Sequence, residues 1–270
     1  MRKLHVAAAQ LHSGGGPDDV LKRAEKLIQA AVIQGTEIIL FSEAALQGFD
    51  YALNAEMLQE ISIEKDHAYC QNVSVLASEY GLTILMGFFE KDGDVYYNSQ
   101  LVARPDSPRE LQRKHLLTPT EINAGIIPGP EKRTIFSFND VQTAIVICAD
   151  GGIKNLDATM RAQGIAYTFC PTGGGGNIKD MLKQVDLKTD EGRNRYCKNR
   201  PKVFKKEAII KDGRLPFCSS NALGPVGKET CHQGHCMIVD SNLVMRAQIP
   251  GTIVLEHMQD QVITAELLFD

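Results

Sequence analysis

An α/β fold built on a mixed sheet is the architecture this sequence predicts. Short apolar runs rich in β-branched residues alternate with stretches of helical periodicity as far as Cys170, the pattern of strand–helix–strand units. Hairpin signals, such as Asp92-Gly93 between two apolar runs, add antiparallel strands to that core. Neither a linker nor an internal repeat interrupts the 270 residues, so 1–270 reads as a single domain. With 43% apolar and 23% charged residues, a chain of this length can bury a sizeable core without disulfides or metals.

The elements follow in order. Leu4 to Ala9 reads as the first strand, and Ser13-Gly14-Gly15-Gly16 as a turn. Pro17-Asp18-Asp19 opens a helix, because proline suits the first turn and acids suit the positive end of the dipole. Val20, Leu21, Ala24, Leu27, Ile28, Ala31 and Val32 then form one apolar stripe ending at Gly35. The run Ile38-Ile39-Leu40-Phe41 is a buried strand that delivers Glu43. A helix is expected over 64–80, stopped by Gly81, followed by a buried strand from Leu82 to Phe89 and its hairpin partner from Val95 to Val102. Thr134 to Phe138 and Val141 to Cys148 form a further hairpin through Asn139-Asp140. Asn155 to Gln163 reads as a helix closed by Gly164, and Ile165 to Cys170 as a strand. The charged stretch Asn177 to Asp212 is expected to be helical in part. Leu215 to Ser220, His235 to Asp240, Leu243 to Gln248 and Gln261 to Leu267 complete the strands.

Bulk chemistry narrows the function classes. A net charge of −4 implies no attraction to nucleic acid or to an anionic membrane surface. The basic run from Lys198 to Lys206 fits a solvated helix face better than an anion site. No apolar stretch approaches a membrane span, and Met1 to Val6 shows no signal-peptide apolar region. Seven cysteines without regular spacing suit reduced thiols, so a cytoplasmic protein is expected.

Three residues carry candidate chemistry. Cys148 closes the apolar run Thr143-Ala-Ile-Val-Ile-Cys148 and precedes the turn Ala149-Asp150-Gly151-Gly152. Glu43 and Lys114 follow strand-like runs in the same way. A thiol attacks well when a neighbouring base takes its proton, and acyl transfer needs donors aimed at the developing oxyanion. Glu43 as base, Lys114 as positive charge and the Ala149 N–H as a second donor would meet those needs without a histidine. Position alone leaves the alternative open, since a buried cysteine at a strand end is usually inert core.

Local context favours chemistry. The blocks Phe41-Ser42-Glu43-Ala44-Ala45-Leu46-Gln47-Gly48-Phe49, Arg113-Lys114-His115-Leu116 with Thr120-Glu121 and Pro128-Gly129, and Ile147-Cys148-Ala149-Asp150 resemble, in order and separation, the three catalytic blocks of the nitrilase, or carbon–nitrogen hydrolase, superfamily. Weaker matches at Val6 to Gln10, Tyr97-Asn98-Ser99, Ser220 to Gly224 and Gly234 to Asp240 extend the resemblance over most of the chain. It implies a four-layer αββα sandwich that pairs into homodimers, and cysteine-based hydrolysis of a non-peptide C–N bond with no cofactor and no metal. It also implies Glu43 as general base, Lys114 as catalytic lysine and Cys148 as nucleophile. Glu121 matches a second glutamate that positions substrate and lysine, the alternative being an N-cap or exposed loop carboxylate.

Departures from the family pattern bear on the substrate. Ser42 stands where proline often precedes the glutamate, His235-Cys236 where Gly-Ser is common, and Gly151-Gly152-Ile153 where arginines and Pro-Glu are frequent. The segment 190–212 is longer than usual. Ala149-Asp150 replaces the Trp-Glu of true nitrilases, and the arginines and aromatic of carbamoylases are missing, so a small amide is the expected substrate. Carbamoyl or nitrile hydrolysis by the same residues, or a silent relative acting as a binding subunit, are the alternatives. Specificity is expected from the loop residues Gln47, Phe49, Tyr51, Glu121, Ile153 and Asn177.

Two other motifs invite chemistry that their spacing does not support. Cys231-His232-Gln233-Gly234-His235-Cys236 packs four metal-ligand types into six residues, but strand alternation would point neighbours apart. Gly173-Gly174-Gly175-Gly176-Asn177-Ile178-Lys179 has Asp180 where a phosphate loop needs Ser or Thr, so close backbone approach beside the site is the expected role.

Overall fold

The computed structural model describes residues 2–177, 214–228, 230–251 and 258–269. The expected helical stretch up to Asp212, the basic run and the 190–212 segment therefore lie outside the described residues, apart from Asn177 itself. In chain order the first half comprises β1 (Arg2–Gln10), α1 (Gly16–Ile33), β2 (Ile38–Leu40), α2 (Ala55–Ile61), α3 (Ala68–Tyr80), β3 (Thr83–Asp92), β4 (Val95–Ala103), β5 (Glu110–Arg113) and α4 (Pro119–Ala124). The second half comprises β6 (Ile135–Phe138), β7 (Val141–Ile145), α5 (Leu156–Ala162), β8 (Tyr167–Thr172), β9 (Gly175–Asn177), β10 (Phe217–Asn221), β11 (Leu223–Val226), β12 (Thr230–Gln233), β13 (Cys236–Val239), β14 (Met245–Ile249) and β15 (Gln261–Phe269).

Two six-stranded sheets result, ordered β15-β1-β2-β3-β4-β5 and β14-β13-β10-β8-β7-β6. Each has three parallel strands at its centre, β1, β2 and β3 in one and β10, β8 and β7 in the other, with antiparallel strands outside them. The period of two along each strand sorts side chains into layers. In β1, Leu4, Val6 and Ala8 face the second sheet while Ala7 and Ala9 face the helices. In β2, Ile38 and Leu40 point inward and Ile39 outward. The stripe of α1, with Val20, Leu21, Ala24, Leu27, Ile28 and Ala31, covers the outer face of the first sheet beside Cys70, Val73 and Ala77 of α3. Between the sheets, Phe136, Ile145, Tyr167, Phe169 and Ile238 meet the inward residues of β1 and β2. Leu156 and Met160 of α5 cover Ala144 and Val146 on the far side. The layers are thus helix, sheet, sheet, helix, as expected.

Some local expectations need correction. The helix expected over 64–80 starts only at Ala68, and α2 precedes it. Ile63 is drawn off by the first sheet, donating to the Phe89 carbonyl and accepting from the Lys91 amide in an isolated bridge opposite Glu90. The His67 imidazole then caps α3 by accepting the Tyr69 N–H, and Asn54 caps α2 through the Met57 N–H. α2 has one fully buried residue, Leu58, too weak a stripe to read. The segments 223–226 and 230–233, which the pattern leaves unassigned, pair with the glycine-rich β9 as a small three-stranded sheet. Cys148 does not close its strand. β7 stops at Ile145, and Cys148 opens a 3-10 turn, Cys148–Gly152, with a left-handed φ of 46°.

Among the described residues no helix is long and apolar enough to cross a membrane.

Candidate active site

The carboxyl ends of parallel strands are where an open α/β sheet gathers functional groups, and two chain segments of this protein leave such ends in parallel ways. Glu43 lies three residues beyond the end of β2, and Cys148 three beyond the end of β7. The Glu43 turn lies flat against β3 because residue 87 is glycine. A Cβ there would overlap the Ser42 carbonyl and come within 2.5 Å of the Ala44 nitrogen. Ala44 completes the bend in the left-handed region, at φ 47°.

Lys114 follows β5 directly. Its amide donates to the Asn98 carbonyl at 2.8 Å, and its carbonyl accepts the Gly129 N–H at 2.7 Å. Strand alternation sends Arg113 the other way, where it pairs with Glu90 and Asp92 and lies over the Tyr97 ring. Glu121 sits in the first turn of α4, and Thr118 and Glu121 cap that helix reciprocally.

These elements bring Lys114, Glu43 and Glu121 into one buried cluster, the three residues being 1%, 2% and 0% exposed. The Lys114 Nζ lies 2.6 Å from Glu43 Oε1 and 2.8 Å from Glu121 Oε2. Asn98, on β4, donates its amide hydrogens to Glu43 Oε1 at 2.8 Å and to Glu121 Oε1 at 2.7 Å. The two carboxylates are thus kept together by an ammonium and an amide between them. Burial works against the Lys114 charge, but Glu43 and Glu121 outweigh it and push its pKa up, so the ammonium persists. Glu121 is both a helix-cap partner and a member of the cluster, and it is not an exposed loop carboxylate.

Glu43, Lys114 and Gly173 all act on the Cys148 thiol. Burial, then the Glu43 charge, push the thiol up to about 12, against the pull of Lys114 and Gly173. At neutral pH the sulfur is therefore protonated at rest. Ala149 is the second residue of the turn, where the first amides of a helical segment have no intrahelical acceptor. Asp150, completely buried, ties this turn to the lysine loop: its Oδ1 accepts the His115 N–H at 3.1 Å and the Leu116 N–H at 2.7 Å. Arg133, also buried, lies 3.1 Å from the same oxygen.

Gly173 gains its place by lacking a side chain, since a Cβ would lie 3.0 Å from Glu43 Oε2 and 3.3 Å from the Phe49 Cβ. That is the close approach expected of the glycine run. A cavity of about 490 Å³ opens beside Cys148, with Gly152, Thr172, Gly174, Asn221 and His235 on its wall. Asn177 ends β9 opposite Thr230, four residues beyond Gly173. His235 and Cys236 are buried, Cys236 in the core between the sheets. His232 is buried with Nε2 2.6 Å from the Phe49 carbonyl. Among the described residues no group of three or more His, Cys, Asp or Glu is placed to hold a metal ion.

Sequence reasoning gives no role to Asn98, Asp150 or Gly173 as individual site groups. The match at Tyr97-Asn98-Ser99 was the available signal for the first of them.

The chain is similar in sequence and in fold to known proteins. The family model for carbon–nitrogen hydrolases matches residues 5–184. A nitrilase of Pyrococcus abyssi is 28% identical over 152 residues, which are 55% of this chain and 56% of that protein. An N-carbamoylputrescine amidase of Solanum lycopersicum is 26% identical over 185 residues, 66% of this chain and 61% of that one. The chain thus spans less than two thirds of the length of these curated relatives. In fold it resembles a superfamily protein of Xanthomonas campestris carrying an arsenic adduct in its active site, with a TM-score of 0.74 at 14% identity, over 98% of this chain and 91% of that one. A mutant amidase of Nesterenkonia, from the nitrilase superfamily, also superposes with a TM-score of 0.74, at 15% identity, over 96% of this chain and 90% of the other.

Proposed function

The chain belongs to the carbon–nitrogen hydrolase family, and from that premise we propose that it hydrolyses a small amide through a thioester on Cys148, with Glu43 as base and Lys114 as fixed positive charge. The observation that carries this reading is the buried cluster in which Glu43 bonds the Lys114 ammonium beside the Cys148 thiol.

A thiol held near 12 is a poor nucleophile until its proton leaves, so removal of the proton and attack proceed together. Glu43 takes the proton as the sulfur bonds the amide carbon, and the carbonyl π electrons move to oxygen. Lys114 and the Ala149 N–H stabilise the oxyanion. The tetrahedral species collapses, Glu43 returns its proton to the departing nitrogen, and ammonia or an amine leaves. Water then gives a proton to Glu43 and attacks the thioester. Collapse expels the sulfur, which recovers the proton from Glu43, and the carboxylic acid is released. Glu121 keeps Lys114 charged and in position throughout. Ala149-Asp150 after the nucleophile favours amide over nitrile.

Ammonia release measured over a panel of amides, carbamoyl compounds and nitriles tests the reading. Turnover is expected with small amides, together with an acyl adduct on Cys148 detectable by mass spectrometry. Cys148→Ala should abolish both while leaving the fold intact. Hydrolysis retained in that variant would end the assignment, and the absence of both adduct and turnover would favour a binding subunit.

A further inference from the structure

After β8 the chain passes the site as Gly173-Gly174-Gly175, the backbone least able to hold its own conformation. Fixing each residue there costs about 1–2 kcal/mol in backbone entropy, with no side chain of its own to offset it. Two side chains from elsewhere hold it. The Tyr51 hydroxyl donates to the Gly173 carbonyl at 3.0 Å and accepts the Gly175 N–H at 3.1 Å. The Asn221 amide faces the residue between them, accepting the Gly174 N–H at 2.7 Å and donating to the Gly174 carbonyl at 3.0 Å. Four backbone groups of three successive glycines are thus pinned by two side chains.

Both clamping residues are themselves anchored. Asn221 closes β10 and also donates to the Gly234 carbonyl. The Tyr51 amide donates to Thr230 Oγ1, whose hydroxyl donates to Asp50 Oδ1 at 2.7 Å. The Tyr51 ring meets Phe49 edge-on at 5.6 Å between centroids. What the clamp aligns is Gly173, which packs so closely against Glu43 that a Cβ there would lie 3.0 Å from Glu43 Oε2.

We propose that Tyr51 and Asn221 are positioning residues whose clamp on Gly173–Gly175 holds Gly173 as the wall that seats the Glu43 carboxylate beside Cys148. Neither residue touches the reacting atoms. Loosening the clamp lets Glu43 shift away from the thiol, so proton removal slows, and with it both alkylation and acylation. The inference rests on Cys148 being the nucleophile and Glu43 its base, yet it can be read without any substrate.

The test is iodoacetamide alkylation of the intact protein between pH 7 and 10, followed at the Cys148 peptide by mass spectrometry, for the parent and for Tyr51→Phe. Tyr51 is 40% exposed, so loss of its hydroxyl opens no buried hole. The Cys148 rate profile should move to higher pH, about tenfold slower at each pH, the worth of one net hydrogen bond. Alkylation of the partly exposed Cys170 should not change. With an amide substrate, kcat should fall in the same proportion and KM stay within about twofold. Asn221→Asp, which keeps the acceptor for Gly174 but loses the donor, is the second variant and should move the profile in the same direction. An unmoved Cys148 profile in both variants, or Cys148 and Cys170 changing together, overturns the proposal. A shifted profile in a protein that hydrolyses no amide would sustain the clamp and overturn the proposed activity instead.

Discussion

Replacing Glu121 by Gln removes one charge from the buried cluster while keeping shape and one hydrogen-bond acceptor. Lys114 Nζ stands 2.8 Å from Glu121 Oε2 and 2.6 Å from Glu43 Oε1. At an effective dielectric constant of about 20, a charge pair at either distance is worth about 6 kcal/mol. Desolvation of the buried groups offsets much of that, and truncating one partner of a buried pair typically costs about 3–5 kcal/mol. Gln keeps an acceptor for Lys114, which places Glu121→Gln near the low end, about 3 kcal/mol. Glu121→Ala also breaks the reciprocal cap with Thr118 and should cost about 1 kcal/mol more. Urea unfolding reads both as a lowered midpoint with unchanged slope. At this chain length Glu121→Gln should also lower Tm by about 6 °C. The charge reasoning is refuted if Glu121→Gln unfolds within about 0.5 kcal/mol of the parent, the range of an ordinary surface substitution.

Two further predictions concern stability and the seating of Glu43. Burial pushes the imidazoles of His232 and His12 below their usual 6.5, with Arg23 adding to the effect at His12. The unfolded chain therefore takes up protons near pH 6.5 that the folded chain refuses, and stability should fall as pH drops from 7 to 5.5. In His232→Gln this fall should be shallower, by at most about 1.4 kcal/mol per pH unit; identical slopes in urea titrations would disprove it. Gly87→Ala forces a methyl into the backbone of Ser42 and Ala44 and should cost about 3 kcal/mol or more, displacing Glu43 and slowing turnover. Gly81→Ala, in open space but at a left-handed φ of 66°, should cost only about 1 kcal/mol, and the reverse ranking in thermal melts would count against the close-approach argument.

Much of this molecule is written in local periodicity. The stripe from Val20 to Ala31 and the alternation through Leu4, Val6 and Ala8 specify which side of each element is apolar, and that suffices for the layers. Glu43, Lys114 and Cys148 are legible as candidates because each closes or follows a strand-like run, and their order carries the family resemblance. Glu121 was legible only as two competing roles, and the structure gives it both, since one oxygen of its carboxylate caps Thr118 and also meets Lys114. The helix expected over 64–80 begins instead at Ala68, because Ile63 is held by a bridge to Glu90 of β3 and His67 caps the helix, contacts that local periodicity does not show.

What the sequence determined by itself is chemistry and layering: the reactive residue types, their order, and the faces that must be buried. What only the tertiary structure decided is convergence. Lys114 meets Glu43 across 71 positions, Tyr51 reaches Gly173 across 122, and Asn98 bridges two carboxylates from a third strand. The left-handed turns at Ala44 and Cys148 likewise depend on close packing that no residue pattern announces. The physical reason is range: periodicity reports each residue's neighbours within a turn or two, whereas a site is made where strands distant in sequence end side by side.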